Sequence, residues 1–123
     1  MLEKAQRLKN SSEFKTVYNL KRSVANSLLI LYVGKKKDNS LIKPRVGFVV
    51  AKKIHKRATK RNRVKRLIRE SYRNFLRSHP SKDITWQRLI FLARSPMLDA
   101  KYEDVLHAVE DCLRKVEKFS NYE

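Results

Sequence analysis

One amphipathic segment, residues 59–77, constrains this chain more than any other feature. Its apolar side chains recur at about 100° per residue, so they form one stripe that must be buried against another element. These residues are Val64, Leu67, Ile68, Tyr72, Phe75 and Leu76. The pattern predicts a helix from Thr59 to about Arg77, docked by this stripe and presenting a broad polar face to solvent or to a partner.

The face opposite the stripe is almost entirely cationic. Asn62, Arg66, Arg69, Arg73 and Arg77 fall within a sector of about 80°. Arg61 and Lys65 lie along one flank and Arg63 along the other. Like charges at these spacings destabilise a helix by roughly 0.2–0.5 kcal/mol per pair, and solvated faces usually mix signs. Guanidinium groups offer planar paired donors to phosphate oxygens, so we interpret this face as phosphate-binding rather than as an ordinary solvated surface.

The net charge of +18 is concentrated, not spread. Residues 52–77 carry twelve basic side chains and one acidic side chain, Glu70, whereas residues 97–123 carry four basic and seven acidic ones. Lys52, Lys53, Lys56 and Arg57 extend the basic patch to the predicted start of the helix, where the helix dipole also favours anions. The distribution predicts a domain that binds a polyanion.

The remaining elements predict an α+β fold in one domain, residues 1–123. With only two glycines and three prolines among 123 residues, the chain has no evident linker. We expect a first helix from Ser12 to about Leu20, capped by Asn10 or Ser11. Strands are predicted at Ser27–Val33, Val46–Ala51 and Arg88–Arg94, the first two forming an antiparallel hairpin around a loop at Gly34–Pro44.

A last helix is predicted to start near Asp99 as its N-cap. Its predicted buried residues are Tyr102, Val105, Leu106, Val109, Leu113 and Val116. We expect Trp86 to be a packing residue and Cys112 to be an apolar residue of this helix rather than a nucleophile. The predicted order is α-β-β-α-β-α, with helices covering a sheet.

Several classes of protein are disfavoured. The longest apolar run, Leu28–Val33, is far shorter than the ~20 residues of a membrane span. His55, His79 and His107 lack the spacing of metal ligands, and no nucleophile–base pair or paired carboxylates are evident. We therefore expect a soluble cytoplasmic protein with no membrane partner, no protein-held metal and no catalytic side chain.

The run from Arg61 to Glu70 closely resembles the signature of the bacterial ribonuclease P protein family. In that family, a helix that contains Arg-Asn-Arg follows a strand that ends in Lys-Lys. Here the segment Val46–Lys53 ends in Lys-Lys and precedes the helix that contains Arg61-Asn62-Arg63. The N-terminal pattern is also similar: Arg7-Leu8, Phe14, Val17, Tyr18, then Ser23–Asn26 and a strand containing Tyr32. The resemblance covers about residues 5–115. Ala51 stands where many members have serine, and His55-Lys56-Arg57 replaces a glycine-containing turn.

The resemblance implies a fold and a function beyond those derived from the residues. The family fold is α-β-β-β-α-β-α, a four-stranded sheet packed by helices with a left-handed βαβ crossover, which requires a fourth strand. The family's protein is the small subunit of an endoribonuclease that removes the 5′ leader of precursor tRNA. Its RNA subunit holds the catalytic Mg²⁺ and performs the chemistry. The implied partners are ribonuclease P RNA and precursor tRNA, and we expect the protein alone to be a monomer.

The resemblance also assigns residues. The surface that faces the catalytic RNA would comprise Lys52, Lys53, Lys56, Arg57, Arg61, Asn62, Arg63, Lys65, Arg66, Arg69 and Arg73. The cleft for the single-stranded leader would comprise Phe14, Tyr18, Tyr32 and Phe48. Spacing alone favours a core position for Phe14, and Phe48 is ambiguous between cleft and core.

Three other classes remain as alternatives. A structural RNA-binding protein of the ribosomal type is the main one, because short basic α+β domains are common there. A self-sufficient nuclease would be expected to cluster carboxylates for metal ions, and a DNA-binding module would place its basic helix in the major groove.

Overall fold

A computed structural model describes residues 8, 11–34, 44–79 and 86–118. The elements are α1 (Ser11–Asn19), β1 (Ser23–Ala25), β2 (Leu29–Val33), β3 (Arg45–Val49), α2 (Ala58–Ser78), β4 (Arg88–Ala93), a 3₁₀ helix (Ser95–Asp99) and α3 (Tyr102–Glu117). This order confirms the predicted α-β-β-β-α-β-α fold, and β1 is the fourth strand that the family resemblance required. Asn10 and most of the loop predicted at Gly34–Pro44 lie outside the described residues.

The four strands form one mixed sheet in the order β1-β2-β4-β3. Strand β2 is antiparallel to both β1 and β4, whereas β3 is parallel to β4. The predicted hairpin between β2 and β3 is therefore wrong, because β4 lies between them. Three successive buried residues of β4, Leu89, Ile90 and Phe91, suit a central strand that is covered on both faces. Strands β3 and β4 with α2 form the expected βαβ unit, whose left-handed sense stays a prediction.

The two faces of the sheet bury different sets of side chains, because successive residues of a strand point to opposite sides. Leu29, Leu31 and Val33 of β2 face the larger core with α2 and α3. On the other face, Ile90 of β4 is buried together with Val17 of α1 and with Leu8, which precedes α1. Among the helices that the structure describes, α1 packs on one face of the sheet, and α2 and α3 pack on the other.

Helix α2 buries the stripe that its sequence predicts. Val64, Ile68, Tyr72 and Phe75 are all buried, and Leu67 and Leu76 are partly buried against the same core. The helix extends one residue beyond the predicted bounds at each end. Trp86 is fully buried in this core, as expected of a packing residue.

Helix α3 starts later than predicted. Pro96 lies in the first turn of the 3₁₀ helix, which ends at Asp99, and Ala100 is extended. Asp99 is therefore not the N-cap of α3. Lys101 occupies that position, and its backbone N–H donates to Asp104 Oδ2 at 3.3 Å.

The buried face of α3 differs from its prediction at two residues, Tyr102 and Leu106. Val105, Val109, Leu113 and Val116 are buried as expected, but Tyr102 is exposed. Leu106 is half-buried. Cys112 is fully buried, which raises the pKa of its thiol to about 12. No helix among the described residues is long and apolar enough to cross a bilayer.

Candidate RNA-binding surface

The predicted basic residues lie on two adjoining segments. Lys52 and Lys53 are exposed in the turn that follows β3, and Lys56 and Arg57 are exposed just before α2. Along α2 itself, Asn62, Arg63 and Arg66 are exposed, and Arg61, Lys65, Arg69 and Arg73 are half-buried. The structure therefore places the predicted set at the end of β3 and along α2.

The start of α2 is favourable to an anion. The first turn of the helix contains no acidic residue, and Arg57 at the N-cap makes no side-chain cap. The Arg57 backbone N–H instead donates to His55 Nδ1 at 3.1 Å. Since the N-terminal end of a helix carries a partial positive charge, the dipole and the flanking cations act in the same direction.

Two arginines of the cationic face make contacts that a helical wheel does not reveal. The Arg69 guanidinium lies 5.6 Å from the centroid of the Phe48 ring in a cation–π contact, which ties the helix face to β3. Arg73 pairs with Glu70 at 3.4 Å. The single acid of the segment therefore relieves part of the repulsion that the sequence predicts.

A second group of predicted residues lies on the opposite face of the sheet, beneath α1. Phe14, Tyr18 and Tyr32 pack together with Val49 around the small buried cluster of that face. The ring centroids of Phe14 and Tyr18 are 6.5 Å apart. Those of Tyr18 and Tyr32 are 4.8 Å apart, with the rings edge to face. All three aromatic residues of this group, the aromatic cleft, are half-buried, so each keeps part of its surface exposed to solvent.

Gly47 of β3 allows the Phe14 ring to lie against the sheet. A Cβ at this position would be 2.6 Å from two carbon atoms of the ring, closer than any packed contact. The absence of a side chain therefore decides where the Phe14 ring lies.

Burial raises the pKa of the Tyr18 phenol above its ordinary value, and the neighbouring Tyr32 adds to this shift. The hydroxyl therefore stays protonated at neutral pH. It can donate a hydrogen bond to a phosphate or a base carbonyl while its ring offers a stacking surface.

Phe48 does not lie with the other three aromatic residues. It follows Gly47 in β3 and so points to the other face of the sheet. There its ring stacks on the Phe91 ring, with 5.9 Å between the ring centroids and 7° between the ring planes. It also meets the Tyr72 ring at 6.3 Å. The predicted placement of Phe48 in the cleft is corrected: its ring packs against the large core and supports Arg69.

Glu13 anchors α1 over the sheet, a role that the sequence analysis missed. Its carboxylate pairs with Arg45 of β3 at 3.1 Å and with Arg88 of β4 at 3.4 Å, and it is largely buried. One signal was available, because Glu13 is the only acidic residue between positions 4 and 37. These pairs hold α1, and with it Phe14, at a defined distance from β3.

A cationic helix on one side and clustered aromatic rings on the other are typical of a small α+β protein that binds nucleic acid. A sequence model of the family described as "Ribonuclease P" matches residues 2–117. The chain belongs to the ribonuclease P protein family.

Individual relatives agree with this assignment. The "Ribonuclease P protein component" of Alkaliphilus oremlandii is 40% identical over 111 residues, which cover 89% of this chain and 90% of the relative. The protein of the same name from Clostridium botulinum (strain Loch Maree) is 40% identical over 113 residues, which cover 91% of this chain and 95% of the relative. The solved structure of the Staphylococcus aureus RNase P protein is similar to this chain with a TM-score of 0.72 at 31% identity, covering 95% of this chain and all of that one.

Proposed function

We propose that this protein is the RNA-binding subunit of ribonuclease P, which removes the 5′ leader of precursor tRNA. The RNA subunit performs the hydrolysis with its own Mg²⁺, and the protein contributes affinity and substrate positioning. The observation that carries this proposal is the cationic face of α2, displayed on a chain of the ribonuclease P family.

The α2 face suits the RNA subunit. Its exposed guanidinium groups provide paired donors to phosphate oxygens, and neutralising phosphates releases the counterions condensed on the RNA. The lysines in the turn after β3 continue this surface. Arg69 is held against the Phe48 ring, so less side-chain entropy is lost when it binds.

The aromatic cleft suits the single-stranded leader. Unpaired bases stack on accessible aromatic rings, and the half-buried rings of Phe14, Tyr18 and Tyr32 lie together on the face opposite α2. One small domain would therefore contact the RNA subunit on one side and the leader on the other.

The side chains that the structure describes are consistent with a subunit that leaves the chemistry to the RNA. Cys112 stays a protonated thiol because burial raises its pKa to about 12, so it is no nucleophile at neutral pH. Among residues 8, 11–34, 44–79 and 86–118, no three His, Cys, Asp or Glu side chains come together to hold a metal ion. Mg²⁺ held by the RNA subunit would supply the Lewis acid and the metal-bound nucleophile.

Reconstitution tests this function. The purified protein, a bacterial ribonuclease P RNA, and the two together are incubated with precursor tRNA at low Mg²⁺. We expect release of the 5′ leader only from the mixture, because the protein lowers the Mg²⁺ that the RNA requires.

Each other outcome contradicts the proposal in a specific way. Cleavage by the protein alone would identify a nuclease site within the protein. Tight binding to the RNA without any stimulation of cleavage would favour a structural RNA-binding protein of the ribosomal type.

Replacing Phe14 with alanine tests the aromatic cleft. We expect the reconstituted enzyme to bind precursor tRNA about 5- to 100-fold more weakly, the equivalent of one lost base-stacking contact. Affinity for mature tRNA, which has no leader, should stay nearly unchanged. Both are measured as equilibrium dissociation constants.

Phe14→Leu is the matched control, because leucine keeps apolar contact with the cluster beneath α1 but provides no ring. It should lose affinity for precursor tRNA as the alanine variant does. Equal losses for precursor and mature tRNA would exclude the leader from this cleft.

A further inference from the structure

A second aromatic surface lies on the α3 side of α2, away from the cleft beneath α1. Tyr102, the first residue of α3, is the only large apolar side chain that is exposed among the described residues, at 37%. Its place in the helical pattern predicts burial, so its exposure calls for an explanation.

The Tyr102 ring is held in position. Its hydroxyl accepts a hydrogen bond from Asn74 Nδ2 of α2 at 3.0 Å. This bond ties the start of α3 to α2 while the ring stays partly open to solvent. A ring fixed in this way loses little freedom when a planar partner stacks on it.

The groove beside this ring carries donors and an acceptor. It has a volume of about 380 Å³ and is lined by Arg63, Arg66, Leu67, Glu70 and Tyr102. That volume lies within the roughly 300–1,000 Å³ of small-ligand sites. Arg63 and Arg66 are exposed, and Glu70 is the only carboxylate on α2.

We propose that this groove binds one unpaired nucleotide of RNA. The base stacks on Tyr102, and the phosphate accepts hydrogen bonds from Arg63 and Arg66. Glu70 accepts a hydrogen bond from a base amino group or from the 2′-hydroxyl. The proposal rests on the proposed function in one respect, that the partner of α2 is RNA.

Continuity with the cationic face favours a nucleotide over an acidic peptide. Arg66 belongs both to the groove and to the face of α2 opposite the core, so a strand that runs along that face reaches the groove directly. An acidic peptide would meet the Glu70 carboxylate within the groove, whereas a nucleotide uses it as an acceptor.

Two substitutions separate stacking from the hydrogen bond to Asn74. Tyr102→Phe keeps the ring and removes the hydroxyl, and Tyr102→Leu removes the ring. We expect Tyr102→Leu to lower the affinity for RNA about 5- to 100-fold with an unchanged salt dependence, because stacking neutralises no phosphate. Tyr102→Phe should retain most of the affinity. If Tyr102→Phe lowers the affinity for RNA as much as Tyr102→Leu does, Tyr102 acts only through its hydrogen bond to Asn74, and the proposal is wrong.

The source of the nucleotide is resolved by two binding measurements on the full chain. A loss in the affinity of the protein for ribonuclease P RNA places the nucleotide in the RNA subunit. A loss only in the affinity of the reconstituted enzyme for precursor tRNA places it in the substrate. Either loss supports the proposal. His107→Leu is the matched control, since it removes an exposed ring from α3 outside the groove.

Photocrosslinking gives a direct readout. After irradiation of the complex with 4-thiouridine-substituted RNA, digestion with trypsin should yield a nucleotide adduct on the peptide of residues 102–114. The adduct should persist in His107→Leu and disappear in Tyr102→Leu.

The negative outcomes remain distinguishable. If the unaltered protein neither binds the RNA nor stimulates cleavage, the proposed function itself fails. If it does both, while Tyr102→Leu binds both RNAs normally, only the groove proposal is overturned. Binding of a poly-glutamate peptide that Tyr102→Leu abolishes would instead assign the groove to an acidic protein partner.

Discussion

Replacing both Arg66 and Arg69 with alanine is expected to lower the affinity for ribonuclease P RNA by about 100-fold or more. Hydrogen bonds from a charged donor each contribute about 1.5–3 kcal/mol, and two arginines would be lost. The slope of log K against log salt should fall by about two units, one for each lost phosphate contact. Filter binding across a salt series measures both quantities.

Arg114→Ala is the control for this result. Arg114 is exposed on α3, outside the basic surface, and its removal changes the net charge without removing a proposed phosphate contact. The slope of log K against log salt for Arg114→Ala should stay within about half a unit of the slope for the unaltered protein. Because Arg69 packs over the Phe48 ring, urea unfolding of each variant must accompany the binding data. An unchanged slope in a folded double variant would show that α2 neutralises no phosphates.

Replacing Asn26 with alanine is expected to cost about 3 kcal/mol of the free energy of unfolding, a large part of the stability of a small domain. Its side-chain oxygen accepts the backbone N–H groups of Leu28 and Leu29, at 3.0 and 2.9 Å. Its amide donates to the Ala108 carbonyl at 3.0 Å and to the Asp111 carboxylate at 3.1 Å. One side chain thus shapes the turn between β1 and β2 and ties it to α3.

Urea denaturation checks this value, with Asn19→Ala as the control. Asn19 is exposed at the end of α1, so its loss should change stability by no more than about 0.5 kcal/mol. Asn26→Asp keeps the acceptor of the turn but faces Asp111 with a second carboxylate, so it should destabilise as strongly as alanine at neutral pH. A cost below about 1 kcal/mol for Asn26→Ala would contradict the role of Asn26.

The loss of stability in Asn26→Ala should depend on pH, because one hydrogen-bond partner of Asn26 is the carboxyl group of Asp111. The hydrogen bond from Asn26, and then that from Lys115, lowers the pKa of Asp111 in the folded protein. A carboxyl whose folded pKa is lowered adds stability above its unfolded pKa of about 3.9. That contribution disappears as the pH falls through the folded pKa. The difference in the free energy of unfolding between the unaltered protein and Asn26→Ala should therefore become smaller as the pH falls through the folded pKa of Asp111.

The local periodicity of the sequence predicts helices and strands, but it does not predict which strands pair with each other. The stripe of α2 predicts both the helix and its buried residues, because neighbours three and four positions apart share a face in any helix. The partner of a strand depends on residues far away in the chain. Strands β2 and β3 are consecutive, yet each pairs with β4, and the hairpin prediction missed this.

The same limit applies to the candidate site. The residues of the cationic face were predictable, since they follow from helical spacing and charge. The cleft residues were named through the family resemblance, and Phe48 was grouped with them although its ring faces the other side of the sheet. Glu13, Gly47 and Asn26 act through partners on other elements, so helical or strand periodicity did not identify their roles, although the isolated negative charge of Glu13 was visible in the sequence.

By itself, the sequence determined an α+β domain with an arginine-rich helix and a concentrated surplus of positive charge, which is typical of a protein that binds a polyanion. These properties are local or additive, so they can be read from the order of the residues. The tertiary structure alone decided that β4 occupies the centre of the sheet and that α1 and α2 lie on opposite faces. It also decided that Tyr102 stays exposed beside Arg63 and Arg66. Such features arise from contacts between distant segments, which form only when the whole core is packed.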